Sequence, residues 1–284
     1  MNKPRTRVIL LGTGNPNPDP RHSGPSLIIL VGETPYVVDF GAGLVRQAAA
    51  FTPEYGRAIK ELDIKNLKTA FLTHLHSDHT IGYPDLILTP WVMGRDAPLE
   101  VFGPKGTAAL TEHILNAYRG DIDYRLQGLE PVNRQGWRVN AHEIGEGIIY
   151  QDGNVKVEAF LVKHGTMPNA FGFRFTTPDK VIVVSGDTSP CENIVSYALG
   201  ADILIHEVYY QGAFDQKDAA WQKYHSTHHT STRELGEIAR KTRPELLVLY
   251  HTLFWGASED DLLAEIARDY NSKVIVGSDL LVIE

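Results

Sequence analysis

Cysteine is almost missing from this chain of 284 residues. The single Cys191 excludes an internal disulfide framework and a thiolate metal cage, and a reducing compartment is the expected setting. Positive charge is also in short supply. Lys and Arg number 27 against 35 Asp and Glu, a formal net charge of −8 with no basic run to offset it, so broad electrostatic adhesion to nucleic acid is not expected. Long apolar runs are lacking too. The opening MNKPRTRVILLGTG holds a four-residue apolar run before Gly12, too short for a signal-peptide core or a membrane span. A cytoplasmic location without a membrane partner is therefore expected. Without repeats, low-complexity segments or a Ser/Gly/Pro linker, residues 1–284 are read as one domain.

What remains is the composition of an ordinary globular protein, 43% apolar and 22% charged. Short apolar runs bounded by turn residues predict strands at 8–11, 27–31, 36–38, 69–72, 155–160, 171–175, 181–184, 203–205, 246–250, 274–276 and 280–283. Helical patterns fall at 44–51, 107–118, 232–240 and 258–267, the last two behind the capping boxes Ser231-x-x-Glu234 and Ser258-x-x-Asp261. Residues 155–160 and 171–175 alternate like antiparallel strands with one buried face. Residues 181–184 and 246–249 are continuously apolar, like strands covered on both faces. The expected class is α/β, with two mixed sheets flanked by helices.

Histidine is the residue in excess, at 12. Four candidate ligands crowd into His74-Leu75-His76-Ser77-Asp78-His79, directly after the strand at 69–72. Histidines at i and i+2 leaving a strand can point one way, while a turn through Ser77 sends Asp78 and His79 to a neighbouring point. That spacing suits two divalent ions served by one loop. Two ions need more ligands, and the sequence offers His164, Asp187 and His251, each following a predicted strand. His113 and His142 read as solvated surface residues. His22 lies in a Gly/Pro-rich loop that could reach the site. Gly12 and Gly14 make only half of a dinucleotide fingerprint, and Pro16 and Pro18 forbid the helix that should follow.

The HxHxDH pattern of His74, His76, Asp78 and His79 resembles the signature of the metallo-β-lactamase superfamily, and the resemblance spans essentially the whole chain. Within it, Leu11-Gly12-Thr13-Gly14, Val37-Val38-Asp39-Phe40-Gly41, Ser185-Gly186-Asp187-Thr188 and His206-Glu207 look most like the tRNase Z and arylsulfatase-like branch. The resemblance implies a four-layer αββα sandwich. It also implies two metal ions, zinc in the first place with manganese or iron as alternatives. His74, His76 and His164 would hold one, Asp78, His79 and His251 the other, and Asp187 both. Asp39 would support the ligand loop, and His206 would act likewise. The branch's catalytic non-ligand His stands about twenty-two positions before the last ligand. His229 lies 22 positions before His251 and His225 lies 26, so His229 is assigned, although His225-Ser226-Thr227 carries the more familiar letters. Glu207 would orient and charge that imidazole, and Asp78 is counted with the catalytic groups as well as the ligands.

A hydroxide bridging two metals implies a hydrolase of phosphodiester or sulfate esters. The branch's tRNA-gripping arm would fall between His164 and Asp187, where only short strands and Arg174 and Lys180 are found. A small aryl or alkyl ester is the preferred substrate, walled by Tyr209, Tyr210 and the Leu253-Phe254-Trp255 stretch, and a homodimer is the expected assembly. The alternatives are tRNA 3′ processing, a lactonase, an iron-binding redox protein of the same fold, and a non-catalytic nucleic-acid-binding module.

Overall fold

The structure, a computed structural model, describes residues 5–284, so the basic start at 1–4 lies outside the described residues. The chain divides into two compact units, residues 1–144 with 279–284, and residues 145–278.

Unit 1 runs β1 (Thr6–Gly12), β2 (Ser26–Val31), β3 (Thr34–Val38), α1 (Leu44–Ala49), β4 (Thr69–Phe71), α2 (Ser77–Thr80), α3 (Tyr83–Val92), β5 (Leu99–Gly103), α4 (Thr107–Ala117), α5 (Arg119–Gln127) and β6 (Val139–Glu143). Unit 2 holds β7 (Gly147–Gln151), β8 (Lys156–Leu161), β9 (Phe171–Thr176), β10 (Val181–Val184), α6 (Glu192–Ala198), β11 (Ile203–Tyr209), α7 (Gln211–Phe214), α8 (Ala219–His228), α9 (Thr232–Thr242), β12 (Leu246–Leu253), α10 (Glu259–Ile266) and β13 (Val274–Val276). The chain then returns to unit 1 as β14 (Val282–Ile283).

Each unit contains one seven-stranded mixed sheet, in the order β14-β1-β2-β3-β4-β5-β6 and β13-β12-β11-β10-β9-β8-β7. In the first, pairing is antiparallel from β14 to β3 and parallel from β3 to β6. The second is parallel from β13 to β10 and antiparallel from β10 to β7. The continuous run at 246–249 lies in β12, parallel to both neighbours, the run at 181–184 forms β10 at the switch between antiparallel and parallel pairing, and the alternating runs became the antiparallel β8 and β9. Helices pack onto each sheet: Leu44, Val45, Ala48, Tyr83, Leu86 and Ile87 meet the apolar side chains of β1 to β5, and Leu235, Ile238, Ala239, Leu262 and Ile266 meet those of β10 to β12. Both expected capping boxes are formed.

Two features of unit 1 had no sequence signal. Asp279, just before β14, gathers a distant loop: Oδ1 accepts from the amide and hydroxyl of Thr13, both at 2.8 Å, and Oδ2 from the amide of Ser23 at 2.7 Å and Gln47 Nε2 at 3.0 Å. Arg95 is fully buried. Pro90 lies inside α3 and has no N–H to give the carbonyl of Leu86. Arg95 Nη1 fills that role at 2.8 Å and also reaches the carbonyl of Leu67, while Nη2 reaches those of Ile87 and Gly136. Burial pushes its pKa down to about 10, which leaves the guanidinium charged. Arg95→Ala would strand several buried carbonyls and is expected to cost on the order of 3–5 kcal/mol. Urea denaturation measures this, and a loss below about 1 kcal/mol would refute the role.

Candidate metal and proton-transfer site

The chemistry-bearing residues of each unit gather where parallel strands end, the usual place for sites on such sheets. In unit 1 the organiser is Asp39, which follows β3 at φ +59°, an uncommon value for a residue other than glycine. Its Oδ1 accepts from the Thr73 amide at 2.8 Å. Its Oδ2 accepts from the Thr73 hydroxyl at 3.0 Å and from His79 Nδ1 at 2.9 Å. The carboxylate thus pins both ends of the His74–His79 loop. It also sets the tautomer of His79, whose proton sits on Nδ1 while Nε2 lies 3.6 Å from Asp78.

Thr73 passes the same influence to His74. Its hydroxyl donates to Asp39 and lies 2.9 Å from His74 Nδ1, so it accepts there, and Nε2 of His74 carries the lone pair. That Nε2 stands 3.1 Å from Nδ1 of His76. The rings of His74 and His79 are 4.2 Å apart. His74 and His79 are buried, while His76 and Asp78 are half-buried at the start of α2. All four members of the sequence cluster therefore share one loop and one buried support.

In unit 2, His164 follows β8 and its Nδ1 donates to the carbonyl of His228 at 2.8 Å. A ligand atom of His164 and one of Asp187 lie within 4.8 Å of each other. Asp187, after β10, is 3.8 Å from Nδ1 of His251 and 3.9 Å from Nδ1 of His229. His251 occupies a β-bulge that the sequence did not signal. Glu207 pairs with Tyr250 and Val208 with Thr252, which leaves His251 as the extra residue at φ +49°.

Glu207 is buried on β11. Its Oε1 accepts from the amides of Thr188 at 3.1 Å and Thr230 at 3.0 Å, and stands 3.4 Å from His229 Nδ1. Burial pushes the Glu207 carboxyl upward, and the neighbouring His229 opposes that shift by favouring its charged form. His229 lies between the C-terminus of α8 and the capped start of α9. The negative end of α8 therefore faces that ring.

His225, the competing candidate, stands elsewhere. It packs against Trp221, Tyr224 and Trp255, and the burial of its ring among them pushes its pKa down to about 4. His206 is buried on β11 with Nδ1 2.6 Å from the carbonyl of Glu207. His22 turns to Thr13 at 3.1 Å and Asp279 at 3.8 Å. His113 is exposed on α4, and His142 pairs with Glu100 on the surface of unit 1. Of the expected pocket wall, Tyr209 is buried against Phe214 and Trp255, while Tyr210 packs on the core of unit 2.

Residues 34–252 match the beta-lactamase superfamily domain. The chain is 31% identical over 278 residues to ribonuclease Z of Mycobacterium bovis, covering 96% of each sequence. Among solved structures it is similar to the metallo-beta-lactamase fold protein YhfI of Bacillus subtilis (TM-score 0.73, 18% identity, 99% and 100% of the two chains). It is also similar to the short form of human tRNase Z (TM-score 0.70, 21% identity, 98% of each chain).

Proposed function

The chain belongs to the beta-lactamase superfamily, as a metal-dependent hydrolase of the metallo-β-lactamase fold, and from that premise we propose that it cleaves phosphodiesters, preferring a small aryl or alkyl ester. The observation that carries this reading is the position of His229, with Nδ1 3.4 Å from Glu207 and 3.9 Å from Asp187. An imidazole oriented by a buried carboxylate can give a proton to a departing alkoxide. A lactone needs no such donor to the same degree, because its leaving group stays tethered.

The donors fit divalent ions. Neighbouring nitrogens of a tetrahedral shell with bonds of about 2.0–2.1 Å stand roughly 3.3 Å apart, and His74 Nε2 and His76 Nδ1 are separated by 3.1 Å. Supporting groups fix the ring proton of His74, His79 and His164 on Nδ1, which points the choice to Nε2 as ligand. We assign His74, His76 and His164 to one ion, Asp78, His79 and His251 to a second, and Asp187 to both, with zinc as the expected metal. Such ions supply Lewis-acid activation of water and balance charge on phosphoryl oxygens. The chain's own part is then division of labour: Asp39 and Thr73 orient ligands, Glu207 charges His229, and His229 delivers the proton.

A second reading, tRNA 3′-end processing, is favoured by the name of the mycobacterial relative. That relative and this chain match over 96% of both lengths, so the short His164–Asp187 interval does not set the two apart. The same proposal takes residues 1–284 as one functional domain, in a homodimer, in the cytoplasm. Among the described residues no helix is long and apolar enough to cross a membrane.

Elemental analysis of the purified chain is expected to give close to two divalent ions per chain. At most one, after incubation with zinc and manganese, would reject the dinuclear assignment. Bis(p-nitrophenyl) phosphate, p-nitrophenyl sulfate, a lactone and a precursor tRNA with a 3′ extension then form the substrate panel. Turnover of the phosphodiester above the other three supports the first reading, and precise cleavage of the precursor tRNA with little on the small ester favours the second.

A further inference from the structure

Helix α8 carries a feature that the proton transfer to the leaving group leaves unused. Trp221 and Tyr224, and His225 and His228, are three apart, and Trp221 and His225, and Tyr224 and His228, are four apart, so the four share one side of the helix. The rings are ordered. Trp221 stacks on His225 with centroids 5.6 Å apart and planes at 22°, and Tyr224 stacks on His228 at 4.2 Å and 21°. Trp221 and Tyr224 meet nearly at a right angle, 88°, and form a corner. Both of these large rings face solvent, Trp221 with 55% and Tyr224 with 39% of its surface exposed. An amphipathic helix ordinarily turns such area inward, so the exposed corner reads as a contact surface.

Beside Tyr224 lies a cavity of about 850 Å³, whose wall includes Lys163, Lys223, Ser226, Thr227 and His228. The volume is in the range of small-ligand sites. Among the described residues neither lysine is engaged in an ion pair. One stacking face, two ammonium groups and several hydroxyls, with the one carboxylate of the wall, Glu234, engaged by Ser231, make a site for a flat ring joined to an anion. The local backbone is shaped for it. Gly165 has φ +56°, and a Cβ there would fall 1.9 Å from His228 Nε2. Glycine lets the His228 ring lie on this loop and back the ring of Tyr224.

The cavity also stands at the right place. Tyr224 and His229 have ring centroids 6.2 Å apart. At about 1.5 Å of rise per residue, Tyr224 lies roughly 7 Å along the helix from His229. The subsite therefore adjoins the proposed proton donor.

We propose that the α8 cavity is a binding subsite for a flat aromatic ring carried by a phosphate-bearing ligand, the ring stacking on Tyr224 and the anion meeting Lys163 and Lys223. A role in turnover rests on the phosphodiesterase reading of the adjacent His229, whereas binding itself does not. The ring could be a nucleobase or a simple aryl group, and the probes separate them. Calorimetric titration of the full chain with AMP, phenyl phosphate and ribose 5-phosphate compares three monoesters of equal charge.

The expected result is that at least one ring-bearing probe binds about five- to a hundredfold more tightly than ribose 5-phosphate. Preference for AMP alone supports a nucleobase, and preference for both supports any aryl ring. Tyr224→Ala should bring the ratio to about one, while Tyr224→Phe keeps it. Paired Lys163→Ala and Lys223→Ala substitutions should weaken all three probes together. Equal affinities in the unaltered chain, or a preference that survives Tyr224→Ala, would overturn the subsite. A chain that prefers the ring yet cannot hydrolyse bis(p-nitrophenyl) phosphate retains the subsite and refutes the phosphodiesterase reading. The reverse pattern refutes the subsite alone.

Discussion

Replacing Asp187 with alanine is expected to drop turnover below about a thousandth of the starting rate and to lower metal content, with the fold retained. The carboxylate is buried, 3.8 Å from one imidazole and 3.9 Å from another. Its removal leaves His251 and His229 beside a void with no anion in it. The alanine is smaller than the residue it replaces and lies in a loop after β10, so the sheet register is not disturbed. Asp187→Asn keeps the volume and removes the charge. If both variants lose metal and rate while their thermal midpoints stay within a few degrees of the original, the carboxylate charge is the cause. Full activity in either would sink the assignment.

His229→Ala should behave differently. Both metals are expected to remain, while the rate on a substrate with a poor alkoxide leaving group falls on the order of a hundred- to ten-thousandfold. A p-nitrophenolate leaving group scarcely needs a proton, and the loss there should be much smaller. That contrast isolates proton donation, since a residue that only supported the fold would impair both substrates alike. His225→Ala is the comparison. Its ring lies among Trp221, Tyr224 and Trp255 and not beside Glu207. It should show little dependence on the leaving group. An exchange of behaviours between the two variants would transfer the role to His225.

Much of this arrangement was legible because buried strands announce themselves. Val181–Val184 and Leu246–Leu249 were apolar throughout and proved to be buried along nearly their whole length, and His164 and Asp187 could be placed by the runs that precede them. The strands β5, β6 and β7 escaped notice for the opposite reason. Leu99–Gly103 is broken by Glu100, and Val139–Glu143 is mostly exposed and carries only Val139 and Ala141 as apolar residues, so neither forms a strong apolar run. Helix α3 was hidden by Pro84 and Pro90, which read as breakers, and Arg95, just past its C-terminal end, compensates for the missing N–H. Helix α8 has strong formers only in its first half, Ala219, Ala220, Gln222 and Lys223, and is started by the Asp218 cap, whose side chain accepts from the amides of Ala220 and Trp221. The bulge at His251 could not be read at all, because it is a property of how two strands pair and not of either one.

The order of the chain has a consequence for synthesis. Unit 1 takes its closing pieces from residues 279–284: β14 pairs with β1 through Val8 and Ile283, and Asp279 ties down Thr13, a residue 266 positions earlier. At about 5–20 residues per second, Thr13 leaves the peptidyl-transferase centre roughly ten seconds to a minute before its partner exists. Throughout that interval one edge of β1 has no strand beside it and invites pairing with another nascent chain. A ribosome stalled just before residue 279 would therefore carry both sheets' other strands with one sheet edge open, the form in which holdase chaperones would be most needed.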